Sequence, residues 1–303
     1  MRGRLIHRAR QEPVDQYVED TMPTASLSAG QVEYADTGGD GPVLVLLHGV
    51  NMSGSLWDGV VTRMPPDVRC ITPTLPLGSH RRPMARADLV THRGVSALVG
   101  ELLEALDLTD VTLVLNDWGG AQFLLADGPN ERVAAAALVA CEAFDNFPPG
   151  RPGKAIADSA RVPALLWLAM QLQRFGWFRR APGGWGWMSK RPVPTAVMDE
   201  WFRPAQQNRG VRRDLRIFAM STPGAAELSA LVDRLPSFDR PVLVVWATED
   251  RLMPREHGPR LASLFPQGRL VEVDDSYTLV PVDRPEVLAQ ELVQLASSVS
   301  PGR

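Results

Sequence analysis

The 303-residue chain has few cysteines, tyrosines and histidines and no long apolar run. It contains two Cys, three Tyr and five His. Two cysteines, Cys70 and Cys141, cannot form a disulfide framework, so we expect buried free thiols and a reducing, cytoplasmic location. Apolar runs such as 134–141 are far shorter than the roughly 20 residues of a membrane span. The beginning of the chain lacks the apolar segment of a secretory signal. We therefore expect no membrane partner.

The charges are nearly balanced. The chain has 32 Lys and Arg residues against 35 Asp and Glu residues, for a net charge of −3. Such a chain lacks the basic surface that nucleic acid recognition needs, and we expect no nucleic-acid partner. No group of His, Cys and Asp has the spacing of a metal site, so we also expect no metal and no cofactor.

The order of apolar segments predicts an α/β architecture. Residues 1–26 are polar and arginine-rich, which indicates a flexible leader. Later strand-like runs, such as VLVLL at 43–47, alternate with segments of helical spacing. This alternation predicts a doubly wound, mostly parallel sheet, formed by residues 27–143 and 239–303. Residues 144–238 interrupt it with Pro, Gly and Trp clusters, and we predict a helical lid over the carboxyl edge of the strands.

A strand, a tight turn and a helix follow one another at the centre of the chain. VTLVL at 111–115 is followed by NDWGG at 116–120 and then by an apolar helix. A turn of this kind can hold one reactive side chain beside a helix N-terminus, which favours negative charge. The residue at that position is Asp117. The alternative is that Asp117 merely caps the helix.

A second motif makes the catalytic interpretation stronger. HGVN at 48–51 directly follows the VLVLL strand, and Leu56-Trp57 opens the next helix. With Asp117-Trp118-Gly119 downstream, the chain from about residue 31 onward resembles the α/β-hydrolases, and among them the haloalkane dehalogenases and epoxide hydrolases. The resemblance implies that Asp117 attacks an sp³ carbon and forms an alkyl–enzyme ester.

The same resemblance implies groups that stabilise developing charge. The backbone N–H groups of Val50 and Trp118 would form an oxyanion hole, and the Trp118 indole would donate to a departing halide or epoxide oxygen. Dehalogenases with an HGN motif use its Asn as a second donor, whereas here Val50 stands there and Asn51 follows. Trp185 and Trp187 of the lid are candidates either for further donors or for the apolar lining of the substrate pocket.

Two carboxylates are candidates for the acid of a catalytic triad. Asp250 follows the strand VLVVWA at 242–247, which is the commonest position of the acid in the superfamily. Glu142 follows the preceding strand and resembles the acid of the HGN dehalogenases. We rank Asp250 first, and both residues are expected near the pocket.

The chain departs from the family's pattern at the position of the catalytic general base. The family's His lies seven residues before a Pro-Glu pair, here Pro285-Glu286, and that position is Thr278. A Thr hydroxyl cannot act as a general base near pH 7. His80, on a loop near the expected active-site edge, is a candidate for a relocated base.

The other histidines have structural explanations. We expect a structural hydrogen bond for His48, and exposed positions for His92 and His257.

These residues leave two main functions open. The first is a hydrolase-like enzyme acting on an alkyl halide or epoxide, impaired in hydrolysis of the ester. The second is a non-hydrolytic member of the fold that binds or transforms an apolar small molecule. A variant of the first is a single-turnover enzyme that stalls as the ester.

Overall fold

The computed structural model describes residues 22–127 and 131–299. Its centre is an eight-stranded sheet with the order β1-β2-β4-β3-β5-β6-β7-β8. The strands are β1 (Thr24–Leu27), β2 (Gly30–Asp36), β3 (Val43–Leu47), β4 (Arg69–Pro73), β5 (Val111–Asp117), β6 (Val133–Cys141), β7 (Val242–Ala247) and β8 (Gly268–Val273).

The sheet is antiparallel at one edge and parallel elsewhere. β1 pairs with β2, and β2 with β4, in antiparallel fashion, while β4, β3, β5, β6, β7 and β8 are parallel. All seven residues of β5 are buried. Apolar residues on both faces of a strand are typical of a central strand covered by helices on both sides, so the predicted α/β-hydrolase fold is confirmed.

Helices of the core flank this sheet. They are α1 (Asp58–Val61), α2 (His92–Ala105), α3 (Gln122–Ala126), α10 (His257–Ala262), α11 (Val280–Asp283) and α12 (Pro285–Val299). Thr91 caps α2, because its side chain accepts the N–H of Gly94 at 3.0 Å. This cap fixes the first residue of α2, His92, at the carboxyl edge of the sheet.

Six helices lie between β6 and β7, within the segment predicted as a lid. They are α4 (Gly150–Ala160), α5 (Pro163–Leu172), α6 (Gly176–Arg179), α7 (Thr195–Gln207), α8 (Arg209–Met220) and α9 (Ala225–Arg234). Pro163 occupies the first position of α5, where its missing N–H costs no hydrogen bond.

The prediction of a flexible leader over residues 1–26 is wrong at its carboxyl end. Residues 24–26 belong to β1, whose backbone pairs with β2. An edge strand needs only one buried face, so the polar sequence TAS can form a strand without an apolar run that would predict it. Residues 1–21, with His7, lie outside the described residues.

Cys70 and Cys141 are free and buried, as predicted. Within residues 22–127 and 131–299, no helix is long and apolar enough to cross a membrane. The same residues contain no cluster of three or more side chains suited to a metal ion.

Candidate active site

Asp117 ends β5 at a sharp turn. Its φ is +63°, in the left-handed region that few residues other than Gly adopt. The backbone then enters a helical turn at Gly119–Ala121 and continues into α3. Gly49 lies against the carboxylate, since a Cβ at that position would stand 2.1 Å from Asp117 Oδ2. The glycine of the HG motif thus leaves room for the Asp117 side chain.

The Asp117 carboxyl group is buried with one backbone donor. Its exposed fraction is 6%, and the N–H of Val50 donates to Oδ2 at 3.3 Å. Burial raises the pKa of Asp117 to about 7, with a further increase from the charge of Asp250, while the Val50 hydrogen bond lowers it. The group therefore titrates near neutral pH.

Glu142 is a second buried carboxyl group in the same region. Its Oε2 accepts the N–H of Gly119 at 3.2 Å, and its own backbone N–H donates to the carbonyl of Asp117 at 2.9 Å. Burial, and then the charge of Asp117, raises the pKa of Glu142 well above its usual range. Burial and the neighbouring carboxyl group thus both favour the neutral form of Glu142.

Thr278 and Asp250 form a pair. The Thr278 hydroxyl donates to Asp250 Oδ1 at 2.9 Å, and the N–H groups of Leu252 and Met253 donate to the same oxygen at 2.8 and 3.0 Å. Burial raises the pKa of Asp250 to about 6. The Thr278 carbonyl accepts the side-chain amide of Asn116 at 2.7 Å. A hydroxyl thus lies beside Asp250, at the position where the resemblance places the family's base.

The side chain of Trp118 differs from the expectation. Its indole N–H donates to Nδ1 of His92 at 3.3 Å, and its backbone N–H donates to the carbonyl of Asn116 at 2.8 Å. Both donors of Trp118 are therefore engaged inside the protein. The indole N–H is therefore not available to a leaving group, and the backbone N–H is not available to an oxyanion.

His92, expected to be exposed, is instead buried and lines the cavity. Its ring stacks on Phe218 with centroids 4.1 Å apart. Burial lowers the pKa of His92 to about 3, so the imidazole is neutral. An indole N–H only donates, so Nδ1 of His92 must be the acceptor and Nε2 must carry the proton. His92 is consequently a hydrogen-bond donor through Nε2 and not a base.

Periodicity was the signal that could have identified His92. The buried positions of α2 include 92, 95, 99 and 102, one face of a helix, and His92 continues that apolar face by one turn.

Asn51 is a polar side chain of the cavity lining whose amide has no hydrogen-bond partner among the described residues. It is fully buried at a φ of +54°, and neither its Nδ2 nor its Oδ1 has a hydrogen bond within the described residues. Gly78 lies against it, because a Cβ there would stand 2.4 Å from Oδ1. A buried amide without partners is costly, which points to a ligand atom in the cavity.

His80 does not supply the missing base. Its Nε2 lies 3.1 Å from Asp214 Oδ2, and its Nδ1 accepts the N–H of Gly78 at 3.4 Å. Both ring nitrogens are therefore engaged, and His80 is absent from the described lining of the cavity. His80 is therefore a structural loop residue and not a relocated base.

Two other histidines are also buried. His48 accepts the N–H of Leu75 at 2.9 Å, which confirms the structural hydrogen bond. His257, expected at the surface, packs edge-on against Phe144 outside the described cavity lining.

The cavity measures about 320 Å³ and is mostly apolar. Its polar lining includes Asp117, Glu142, His92 and Asn51, and none of the described lining residues is Lys or Arg. The lid contributes Ile156, Met170, Phe178, Trp185 and Met188. Trp185 thus fits the apolar lining expected of it. Trp187 does not reach the described lining and faces Arg251, whose guanidinium lies 5.8 Å from its ring centroid.

The fold agrees with comparisons to known proteins. The chain belongs to the alpha/beta hydrolase family, which it matches over residues 44–291. It is thus an enzyme of the α/β-hydrolase class and resembles the haloalkane dehalogenases.

Three relatives illustrate the range of similarity. A cis-3-alkyl-4-alkyloxetan-2-one decarboxylase of Xanthomonas campestris is 28% identical over 291 residues, covering 89% of this chain and 91% of the relative. Haloalkane dehalogenase 2 of Mycobacterium tuberculosis is 26% identical over 277 residues, covering 88% and 92%. The crystal structure of the haloalkane dehalogenase DbeA from Bradyrhizobium elkani superposes with a TM-score of 0.71 at 20% identity, covering 91% and 96%, and supports the fold.

Proposed function

We propose that the Asp117 carboxylate attacks an sp³ carbon of a neutral, apolar alkyl halide or epoxide. The bond from Asp117 to carbon forms as the carbon–halogen or carbon–oxygen bond breaks, and the electron pair leaves with the halide or oxygen. The main support is a buried carboxylate at a strand-to-helix turn that lines an apolar cavity of about 320 Å³. The absence of Lys and Arg from the described lining favours a neutral substrate.

His92 and Asn51 supply donors for the departing atom. The Trp118 indole occupies Nδ1 of His92, so the remaining donor of this cavity-lining ring is its Nε2–H. A neutral imidazole is a suitable electrophile, because it donates a hydrogen bond without losing a proton. Asn51 also lines the cavity, and its unpartnered amide would become a second donor once its buried side chain turns toward the departing atom.

Hydrolysis of the resulting ester is the weak step. Water must attack the Asp117 carbonyl carbon, and the Val50 N–H that donates to Oδ2 would stabilise the oxyanion. Thr278 cannot activate this water, and loss of a general base typically slows a step by about 10²- to 10⁴-fold. The ester is therefore expected to accumulate.

A second candidate avoids this step altogether. The relative from Xanthomonas is named as a decarboxylase of oxetan-2-ones. Such a strained ring divides into carbon dioxide and an alkene without consuming water, so it needs no base to activate water. The Thr278–Asp250 pair, which lacks the imidazole that the family uses as its base, favours this reaction over complete hydrolysis.

Intact-protein mass spectrometry tests the proposal. The chain is incubated with 1-iodohexane, 1-chlorohexane and 1,2-epoxyhexane, and peptide mapping locates any added mass. We expect one alkyl group on Asp117 and none on the folded Asp117→Asn variant. Absence of an adduct and of halide or diol release with every probe would reject alkylation. Release of alkene and carbon dioxide from a dialkyl oxetan-2-one would then establish the second candidate.

A further inference from the structure

The outer side of the lid carries a concentrated apolar surface. Eight large apolar side chains are exposed among the described residues, and six of them lie between residues 162 and 177. We name these six the lid apolar face: Val162, Leu165, Trp167, Leu168, Phe175 and Trp177. Trp177 alone is 69% exposed. A concentration of exposed apolar side chains within 16 residues is typical of a binding surface.

Basic residues outnumber acidic ones in the segment that carries this face. Residues 159–198 contain six basic residues and no Asp or Glu, although the whole chain has a net charge of −3. Three of the six pair with carboxylates from other segments: Arg179, Lys190 and Arg191. Arg161, Arg174 and Arg180 are exposed beside the lid apolar face. Arg161 has one weak ion pair with Asp158, at 3.7 Å.

The same short helices also form the outer wall of the cavity. α5 contributes Ala169 and Met170 to the lining from its inner side, Gln173 directly after it lines the cavity too, and α6 contributes Phe178. α5 has 10 residues, about half of what a bilayer span requires, so it can lie along a membrane surface but not cross it. The lid is therefore apolar on its outer side and toward the cavity.

We propose that the lid apolar face docks on the surface of a bilayer that contains anionic phospholipids. Trp and Phe side chains favour the depth of the headgroups, where apolar rings meet polar surroundings. The exposed arginines would bind lipid phosphates, and this excess of positive charge favours a lipid surface over a neutral apolar partner. The expectation of no membrane partner, based on the lack of a spanning segment, is revised by this proposal to peripheral attachment.

Vesicle sedimentation of the full chain tests the proposal. We compare vesicles of equal parts phosphatidylcholine and phosphatidylglycerol with vesicles of phosphatidylcholine alone. Binding to the mixed vesicles is expected to be at least about tenfold stronger, since each basic residue near an anionic surface contributes about a fivefold factor. Brominated acyl chains should quench the fluorescence of Trp177, with Trp177→Phe as the reference for its contribution.

Two pairs of variants separate the apolar and charged contributions. Trp167→Ser with Trp177→Ser should weaken binding at least about tenfold, because it removes the two rings from the interface. Arg174→Gln with Arg180→Gln should remove most of the preference for phosphatidylglycerol. Met22→Ser and Arg269→Gln are matched exposed controls outside the lid and should bind as the parent does. All four residues targeted in the lid are exposed, and circular dichroism should show unchanged folding.

Three results would overturn the proposal. They are no sedimentation with mixed vesicles, full binding by the double Trp variant, and equal binding to both kinds of vesicle. The alternative is that a second copy of the chain binds the lid apolar face, and analytical ultracentrifugation tests it. A dimer that Trp177→Ser dissociates, together with no vesicle binding, would assign the face to that second copy. None of these results depends on alkylation of Asp117.

Discussion

At the scale of single residues, the ionisation of Asp117 controls the proposed chemistry. Only the carboxylate is a nucleophile, and burial raises the pKa of this group to about 7. We expect the rate of adduct formation to rise about tenfold per pH unit below that pKa and to level off above it. Mass spectrometry of samples quenched between pH 5.5 and 8.5 measures the rate. A rate independent of pH over this range would contradict an Asp117 carboxylate with a raised pKa.

Thr278 limits the second step. We expect Thr278→His to raise hydrolysis of the ester by about 10²-fold, because an imidazole can activate water. Asp250 would orient the new ring, since it already accepts the Thr278 hydroxyl at 2.9 Å. Halide or diol release under multiple turnover is the measurement. The matched control, Thr278→Val, offers no base and should give no gain.

Removal of the Asp250 carboxylate tests which carboxyl group orients the imidazole introduced by Thr278→His. Adding Asp250→Asn to Thr278→His should cancel most of the gain. If Glu142→Gln cancels it instead, Glu142 is the acid and our ranking of the two carboxylates is wrong.

The role of His92 depends on the leaving group. We expect His92→Phe to slow alkylation by 1-chlorohexane by about 10²-fold, the usual cost of one catalytic donor. The slowing with 1-iodohexane should be smaller, because iodide is a better leaving group and needs less stabilisation. His257→Phe replaces a buried histidine outside the described cavity lining and serves as the control. Equal slowing with both halides would contradict contact between His92 and the leaving atom.

At the scale of elements, continuous apolar runs made the central strands predictable. VLVLL and VTLVL became β3 and β5, and the turn after β5 begins at Asp117 as the sequence NDWGG indicates. The direction of the Trp118 indole could not be predicted, because it depends on His92, which is 26 residues away. The polar sequence of β1 likewise concealed an edge strand that only its pairing reveals.

One carboxylate joins the lid to the loop that carries Thr278. Buried Asp283 of α11 accepts the backbone N–H groups of Lys190 at 2.9 Å, Arg191 at 2.7 Å and Tyr277 at 3.0 Å. We expect Asp283→Ala to lower the free energy of unfolding by about 2 to 4 kcal/mol, since it removes several hydrogen bonds to a charged acceptor. Asp283→Asn keeps one acceptor oxygen and should lose less. Urea denaturation measures both, and equal losses would contradict this explanation.

At the scale of the whole molecule, the raised pKa of Asp117 has a cost in stability. The folded state holds this proton up to about pH 7, whereas an Asp carboxyl group exposed to water has a pKa of 3.8. The contribution of Asp117 to stability is therefore fully present below pH 4 and is lost as the pH rises to about 7. We expect Asp117→Asn to raise the free energy of unfolding at pH 8 by about 1 to 4 kcal/mol.

Urea denaturation at two pH values checks this effect. The gain from Asp117→Asn should be present at pH 8 and nearly absent at pH 4. Asp107→Asn is the control, because the Asp107 side chain is 93% exposed and should change stability little at either pH. A larger gain at pH 4 than at pH 8 would contradict the sign of this argument.

The cavity lining without Lys or Arg also bears on how long a product anion stays. Alkylation of Asp117 would convert its carboxylate into a neutral ester while the halide gains the negative charge. The total charge of the pocket therefore does not change, and the halide meets no new repulsion while the ester lasts. Hydrolysis restores the carboxylate, and two negative charges then share one low-dielectric space. The same lining offers the halide no counter-ion, so in an enzyme with Thr278 only the proposed donors of the cavity wall would slow its exit while the ester lasts.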